Sequence, residues 1–338
     1  MILVKLRNIS EAKRKHWNWF RGILGDVKDW YVSDQKNAIQ TRKMTREECI
    51  KKILKLKKRK QIKKIVFADY HGMRKLIKNH PEWIYNGRVG AISVNERDAL
   101  LRAFGYKNDF YKKRKWSAFV FFHWTNVKVC PYCNVNPVGV GVDKKRKIKT
   151  RNQIDHFFPE AIYPFLSISL FNLIPSCTDC NKNKLSFDTY INEMVYPYAR
   201  MFGRNGKFFI SFPFHTLAQE GLFKKSIVDD IEFDVKKYDE TDVVRRDINN
   251  SILQLKITPT YNAHAQFAAK NLLNVCQSRC HSRIGMLQSM GFPKNAILQH
   301  LDSYASSNCV DYPYKKMKED VLDQLEKYMK NTKIYYIK

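Results

Sequence analysis

Apolar positions recur at helical spacing from Glu11 to Leu24, where Trp17, Phe20, Ile23 and Leu24 fall on one stripe. Thr45-Arg46-Glu47-Glu48 has the form of a capping box. It opens a second predicted helix that runs on through Lys51 to Lys60, so residues 1–60 read as helical. Ile65-Val66-Phe67-Ala68 has the length of a short strand, and His71-Gly72 and Asn86-Gly87 are turn signals. Val94 to Phe104 reads as a helix with Asn95 as its cap. Tyr111 to Trp124 reads as another, basic at first and then aromatic at Trp116, Phe119, Phe121, Phe122 and Trp124. Such a stripe can stack on bases, but core packing is the preferred reading.

After Cys133 the pattern changes. Val135, Val138, Val140 and Val142, with Gly139 and Gly141, read as a strand or hairpin arm, and Thr150 to Phe158 as the second strand. The basic connection Asp143 to Lys149 joins them. A loop then runs to Asn172, and a short helix carries Cys180, Asn181 and Lys184, giving a ββα order. Farther on, Lys207 to Phe214 and Ile231 to Val235 alternate like strands. Helices are predicted over Asp242 to Leu255, Tyr261 to Met290, Pro293 to Tyr304 and Pro313 to Met329. The fold class is therefore α+β: a mainly helical protein around a central ββα module. Three regions follow: a basic helical region over 1–125, the module over 126–200, and short strands followed by helices over 201–338.

Charge changes this picture. The 338 residues carry 61 Lys+Arg against 32 Asp+Glu, a formal net charge of +29. Residues 1–130 hold 32 basic and 11 acidic side chains, or +21, and the remaining 29 and 21 give +8. Nine of the fourteen residues from Lys51 to Lys64 are basic, and like charges this dense repel along a helix unless something compensates them. A phosphate backbone would do so, and contact with a polyanion is the natural reading of the whole; a solvated basic face is the alternative for this run. No run approaches the ~20 apolar residues of a membrane span, and the first residues lack the apolar region of a signal peptide. A cytoplasmic location without membrane contact is expected.

The candidate chemistry lies in residues 130–184. Cys130-Pro131-Tyr132-Cys133 and Cys177-Thr178-Asp179-Cys180 are two chelating pairs with 43 residues between them. Four soft thiolates close a tetrahedral site with no open position, so Cys130, Cys133, Cys177 and Cys180 read as ligands of a structural Zn²⁺. Between the pairs, His156 is a candidate general base. Asp155 and Asn181 offer hard oxygens for Mg²⁺ or Mn²⁺, and Asn172 can fix the imidazole through its backbone or side-chain oxygen. Alternation along a strand turns Asp155 and His156 to opposite faces, so a bulge or strand end is needed to aim both into one cleft. Lys144, Lys145, Arg146, Lys147 and Lys149 form a basic finger or a solvated loop, and Lys182 and Lys184 sit where a phosphate contact or an ordinary surface lysine fits equally. Cys276 and Cys280, beside His281, share one predicted helix face, but without a fourth ligand they read as core or interface residues.

These residues resemble the HNH, or ββα-metal, endonucleases. The resemblance implies that Asp155 is a metal ligand, His156 the general base, Asn172 the residue that orients it and Asn181 the third motif residue, an H-N-N variant in a four-cysteine zinc frame. The wording Ile-Asp-His-Phe-Phe-Pro at 154–159 and Tyr196-Pro197-Tyr198 is similar to HNH nucleases of Septu-type and retron-associated anti-phage systems. It implies a metal-dependent nuclease that cuts or nicks DNA, serves antiviral defence and is gated by a partner ATPase. RNA is a possible substrate. A stand-alone restriction or homing-type nuclease and a non-catalytic zinc module that binds nucleic acid are the alternatives.

Overall fold

The computed structural model describes residues 3–33, 39–86, 91–111, 116–145, 148–202, 206–211, 232–237 and 242–264, with scattered positions between 286 and 323. It mixes helices with small antiparallel sheets, consistent with an α+β class. Helix α1 (Ile9–Ile23) starts where the Asn8 side chain accepts the Glu11 N–H. It buries Ala12, His16, Phe20 and Ile23, a stripe of helical period. A hairpin of β1 (Val27–Ser33) and β2 (Ile39–Thr45) follows, in a region expected to be helical throughout. It is anchored by fully buried Trp30, whose indole N–H donates to the Met44 carbonyl at 2.9 Å.

The capping box at Thr45 and Glu48 is formed and starts α2 (Arg46–Ile53). The helix does not run to Lys60. It stops at Leu54, Lys55 takes a left-handed φ of 51°, and α3 (Arg59–Val66) starts afresh. Within α2 Glu47 meets Lys51 at 2.7 Å, and the break brings the Arg59 guanidinium onto the same carboxylate, which relieves like-charge repulsion within the chain. Ile65 and Val66, expected in a short strand, close α3 with their side chains in the core.

Helix α4 (Tyr70–Asn79) is capped by Asp69, and α5 (Val94–Phe104) by a Ser93–Glu96 box, so the cap lies two residues before Asn95. Gly105, at φ 75°, ends α5 and leads into a π-helical turn over Tyr106–Phe110. Of the predicted helix from Tyr111, residues 116–124 are described: Trp116, Phe121 and Phe122 are buried, the last two on α6 (Ala118–Thr125), as core packing requires. The basic residues 112–115 lie outside the described residues.

The central module departs from the expected hairpin. β3 (Val140–Asp143) pairs with β4 (Ile148–Arg151) alone. The Asp-His strand, β5 (Gln153–His156), pairs instead with β6 (Leu173–Ser176), in a register that sets Asp155 opposite Ile174 and His156 opposite Leu173. Helix α7 (Thr178–Lys184) follows β6 directly. The ββα unit is thus β5, β6 and α7, and the valine-rich hairpin stands beside it. The reason is apolar content: β6 is buried at every position, whereas Val140 and Val142 are exposed.

Hydrogen bonds cross the expected boundary after residue 125. Buried His16 on α1 contacts the Ile168 carbonyl at 2.7 Å and accepts the Trp116 indole N–H at 2.9 Å, and Ser169 Oγ donates to Ile65 O at 2.8 Å. Farther on, β7 (Gly206–Ser211) and β8 (Glu232–Lys237) pair as the alternation suggested, and a helix covers Asp242–Gln254. A short helix over Ile257–Asn262 replaces the start of the long predicted one. Most of the expected helices beyond 264, with Cys276, Cys280 and His281, lie outside the described residues.

Candidate metal centre and adjacent cavity

The first knuckle is a tight turn. Asn134 N–H returns to Cys130 O at 2.8 Å, Asn134 takes a left-handed φ of 57°, and Val135 N–H points at Cys133 Sγ at 3.4 Å. The second knuckle is the start of α7, where Cys177 is the N-cap and its Sγ accepts Cys180 N–H at 3.4 Å. Cys177 N–H in turn points at Cys130 Sγ at 3.3 Å, and Asn136 Nδ2 donates to Asp179 Oδ2 at 2.9 Å, tying the knuckles together.

The result is one buried cluster in which the sulfurs of Cys130, Cys133, Cys177 and Cys180 all lie within 4.8 Å of one another. Cys133 and Cys177 sulfurs are 4.0 Å apart, far beyond a disulfide bond of about 2.05 Å. A tetrahedron with Zn–S bonds of about 2.3 Å has edges near 3.8 Å, so the cluster fits a zinc ion. Its electrostatics fit as well. Hydrogen bonds from Cys130, Cys133 and Cys180 hold the Cys177 thiol far below its usual range, while burial pushes Cys130 well up. Thiols crowded and buried like this lose their remaining protons when a divalent cation binds them. Later residues cover it: Tyr261 OH donates to Cys133 O and Tyr314 N–H to Asn134 O, both at 2.7 Å.

Beside this cluster lies a cavity of about 550 Å³, lined among others by Tyr106, Lys107, Tyr111, Asp155, His156, Glu160, Asn181 and Leu185. Three expected site residues therefore share it: Asp155, His156 and Asn181. Alternation does not separate Asp155 from His156, because β5 ends at His156. His156 is nearly buried, and its Nε2 lies 2.7 Å from the Ser167 carbonyl. A carbonyl only accepts, so Nε2 carries the proton and the lone pair of the neutral ring sits on Nδ1. Tyr106 packs edge-on against the ring, with centroids 4.4 Å apart, and Glu160 Oε2 stands 3.7 Å from Nε2.

Asn172 takes a different place from the one expected. Its side chain accepts Phe158 N–H at 2.7 Å and donates to the carbonyls of Phe158 and Leu166, both at 3.0 Å. It thereby ties the loop carrying Ser167 to the end of β5, and the loop backbone, rather than Asn172 itself, holds the imidazole. Tyr196 OH and Tyr198 OH fasten the same stretch through Phe171 O at 2.6 Å and Leu173 O at 2.9 Å.

Lys184 is neither a surface lysine nor placed for a phosphate. It is fully buried, and its Nζ donates to Asp155 Oδ1 at 3.2 Å and to the His156 carbonyl at 2.7 Å. Tyr132 OH donates to the other Asp155 oxygen at 2.6 Å. Burial drives the Lys184 ammonium below its ordinary range, against the pull of Asp155. The spacing of Cys180 and Lys184 on one helix face is the sequence signal for this inward lysine. Lys182 is exposed on α7, and Lys144 and Lys145 are exposed at the β3–β4 turn. Lys149 lies on β4 opposite Val142, and Arg146 and Lys147 lie outside the described residues.

No family model matches the chain, and no solved structure does. Among curated proteins, Protein ea31 of Escherichia phage lambda is 36% identical over 72 residues, which is 20% of this chain and 20% of that protein. The chain thus matches about a fifth of the length of this relative. No helix among the described residues is long and apolar enough to cross a membrane.

Proposed function

We propose that the chain is a metal-dependent endonuclease of the HNH type that hydrolyses phosphodiester bonds in DNA. The observation that carries this reading is the convergence of Asp155, His156 and Asn181 on one cavity beside the four-thiol cluster. His156 takes a proton from the attacking water at Nδ1, because Nε2–H is committed to Ser167 O. Asp155 and Asn181 offer oxygens to Mg²⁺ or Mn²⁺. Bound there, the ion supplies positive charge to the phosphate and to the departing 3′ oxygen. A carboxylate has about four acceptor sites, so Asp155 keeps lone pairs for that task beside Tyr132 and Lys184. The products carry 5′-phosphate and 3′-hydroxyl ends. Zn²⁺ on the four cysteines is structural. The net charge of +29 favours a polyanionic substrate, with RNA the alternative to DNA. Gating by a partner ATPase, in anti-phage defence, follows from the resemblance and belongs to the same proposal.

One observation favours a second reading. Both oxygens of Asp155 already have donors inside the protein, as a purely structural carboxylate would. In that case the module binds nucleic acid without cutting it. Supercoiled plasmid treated with the purified chain separates the two. Nicking in Mg²⁺ or Mn²⁺ that is abolished by EDTA and by His156→Ala supports the nuclease. Binding without cleavage, unchanged in His156→Ala and with the partner added, supports the second reading.

A further inference from the structure

Exposed apolar side chains scattered singly need no explanation, but two of them share the cavity that holds His156. Tyr111 is 45% exposed and Leu185 is 72% exposed, and both line it. Tyr111 has one occupied face: the Arg151 guanidinium lies 4.0 Å from its ring centroid and is itself close to Phe119. Arg151 Nη1 donates to Asn152 O at 2.7 Å, which fixes the guanidinium behind the ring. Tyr106 meets the same ring at a steep angle, with centroids 6.4 Å apart, so the tyrosine is a propped plate that keeps 45% of its surface exposed. Leu185 is held at φ 43° and ψ −125°, a region that side chains other than glycine rarely adopt. Strain of this kind costs about 1–3 kcal/mol and gathers at functional sites. Here it holds a bare leucine at the wall of the cavity, next to the lysine that grips Asp155.

Resting on the nuclease reading of this cavity, we propose that Tyr111 and Leu185 form a stacking site for an unpaired nucleobase beside the phosphate presented to His156. A base inside a duplex has both faces covered by its neighbours, whereas an unpaired base offers a π-face to an aromatic plate. Lys107, 72% exposed on the same cavity wall, pairs with Glu160 Oε1 at 3.3 Å, and the net charge of +29 suits the negative backbone of the strand. The preferred substrate is therefore a single strand, or a duplex locally opened at the cut.

The test is affinity for a labelled single strand and for the same sequence as a duplex, measured by fluorescence anisotropy with the full chain carrying His156→Ala in Mg²⁺, so that nothing is cut. Adding Tyr111→Ala is expected to weaken single-strand binding roughly tenfold, within the range of one base–aromatic stack, and duplex binding less than about twofold. Tyr111→Phe keeps the plate and restores single-strand affinity. Leu185→Gly removes the strain, so its melting temperature holds or rises while single-strand affinity falls. Equal losses on both substrates, or no loss with Tyr111→Ala or with Leu185→Gly, overturn the stacking site. Single strands of DNA and RNA share the Tyr111 dependence, since the base is contacted and not the sugar; dependence confined to one of them also overturns it. Cleavage by the otherwise unaltered chain separates this inference from its premise. A chain that cuts but ignores Tyr111 keeps the nuclease and loses the stacking site. A chain that never cuts yet binds single strands through Tyr111 does the reverse.

Discussion

The four-thiol cluster and the cavity beside it both draw on residues 130–186, with Tyr106, Lys107 and Tyr111 completing the cavity wall, yet they are opposite kinds of site. In the cluster every ligand atom is buried and faces the other three, and two short turns set the geometry. In the cavity the polar groups come from a strand end, a loop carbonyl and a helix, and they line about 550 Å³ of space. The cluster is closed, with its four sulfurs within 4.8 Å of one another. The cavity depends on partners gathered from distant positions, and its carboxylate is already held by a lysine of the same chain. A closed site stabilises the protein by being filled; an open one is useful because it is not fully satisfied.

The sharpest way to break this contrast is to remove a thiol. Cys130→Ser, or strong chelation, is expected to abolish cooperative thermal unfolding of the module. Structural zinc contributes on the order of 10 kcal/mol to such folds. Zinc content and circular dichroism melts check it; an intact melt in a zinc-free Cys130→Ser chain would show that the cluster is not structural.

Next comes the internal cation. Lys184→Met leaves Asp155 buried and short of a partner, a loss of roughly 3–5 kcal/mol in urea unfolding. Lys184→Met with Asp155→Asn should recover much of it. A double variant as unstable as the single one would mean that the lysine acts by packing.

The third effect is a pH dependence at His16, whose partner Ile168 follows Ser167 in the loop that holds His156. Burial lowers the His16 pKa to about 4 from 6.5, only partly offset by the bond to Ile168 O. The folded state therefore keeps this imidazole neutral while the unfolded chain takes up a proton. The stability it contributes is full above pH 6.5 and is lost as pH falls towards 4, up to roughly 3 kcal/mol. His16→Gln should flatten that part of the unfolding profile relative to the parent. Slightly smaller is Asn172→Ala, which deletes three buried hydrogen bonds worth roughly 1 kcal/mol each. Its unfolding midpoint should drop, and catalysis should drop with it because Ser167 O loses its anchor. The smallest effect belongs to Glu47→Gln, half-buried but paired with the more exposed Lys51 and Arg59, at about 1 kcal/mol in urea unfolding.

The same contrast explains what could be read from the residues alone. Features set by a few neighbouring positions were legible: the Cys-x-x-Cys pairs, the capping box at Thr45 and Glu48, and the alternation of β7 and β8. Features that depend on distant partners were not. The strand pairing of Asp155 depends on the apolar content of β6, whose Ile174 lies nineteen positions on in the chain. The burial of Lys184 depends on Asp155 being there to receive it, and the hold on His156 comes from a backbone carbonyl, which no residue type advertises. The β1–β2 hairpin was missed because its anchor, Trp30, gives no periodic signal on its own.

The most direct measurement takes one preparation each of the parent chain and His156→Ala and records three quantities: bound zinc per chain, melting temperature, and Mg²⁺-dependent nicking of plasmid. The two sites are separate if His156→Ala keeps its zinc and its melting temperature and loses nicking. Undiminished nicking by His156→Ala would contradict the assignment of the base and, with it, the reading of the cavity as the catalytic site.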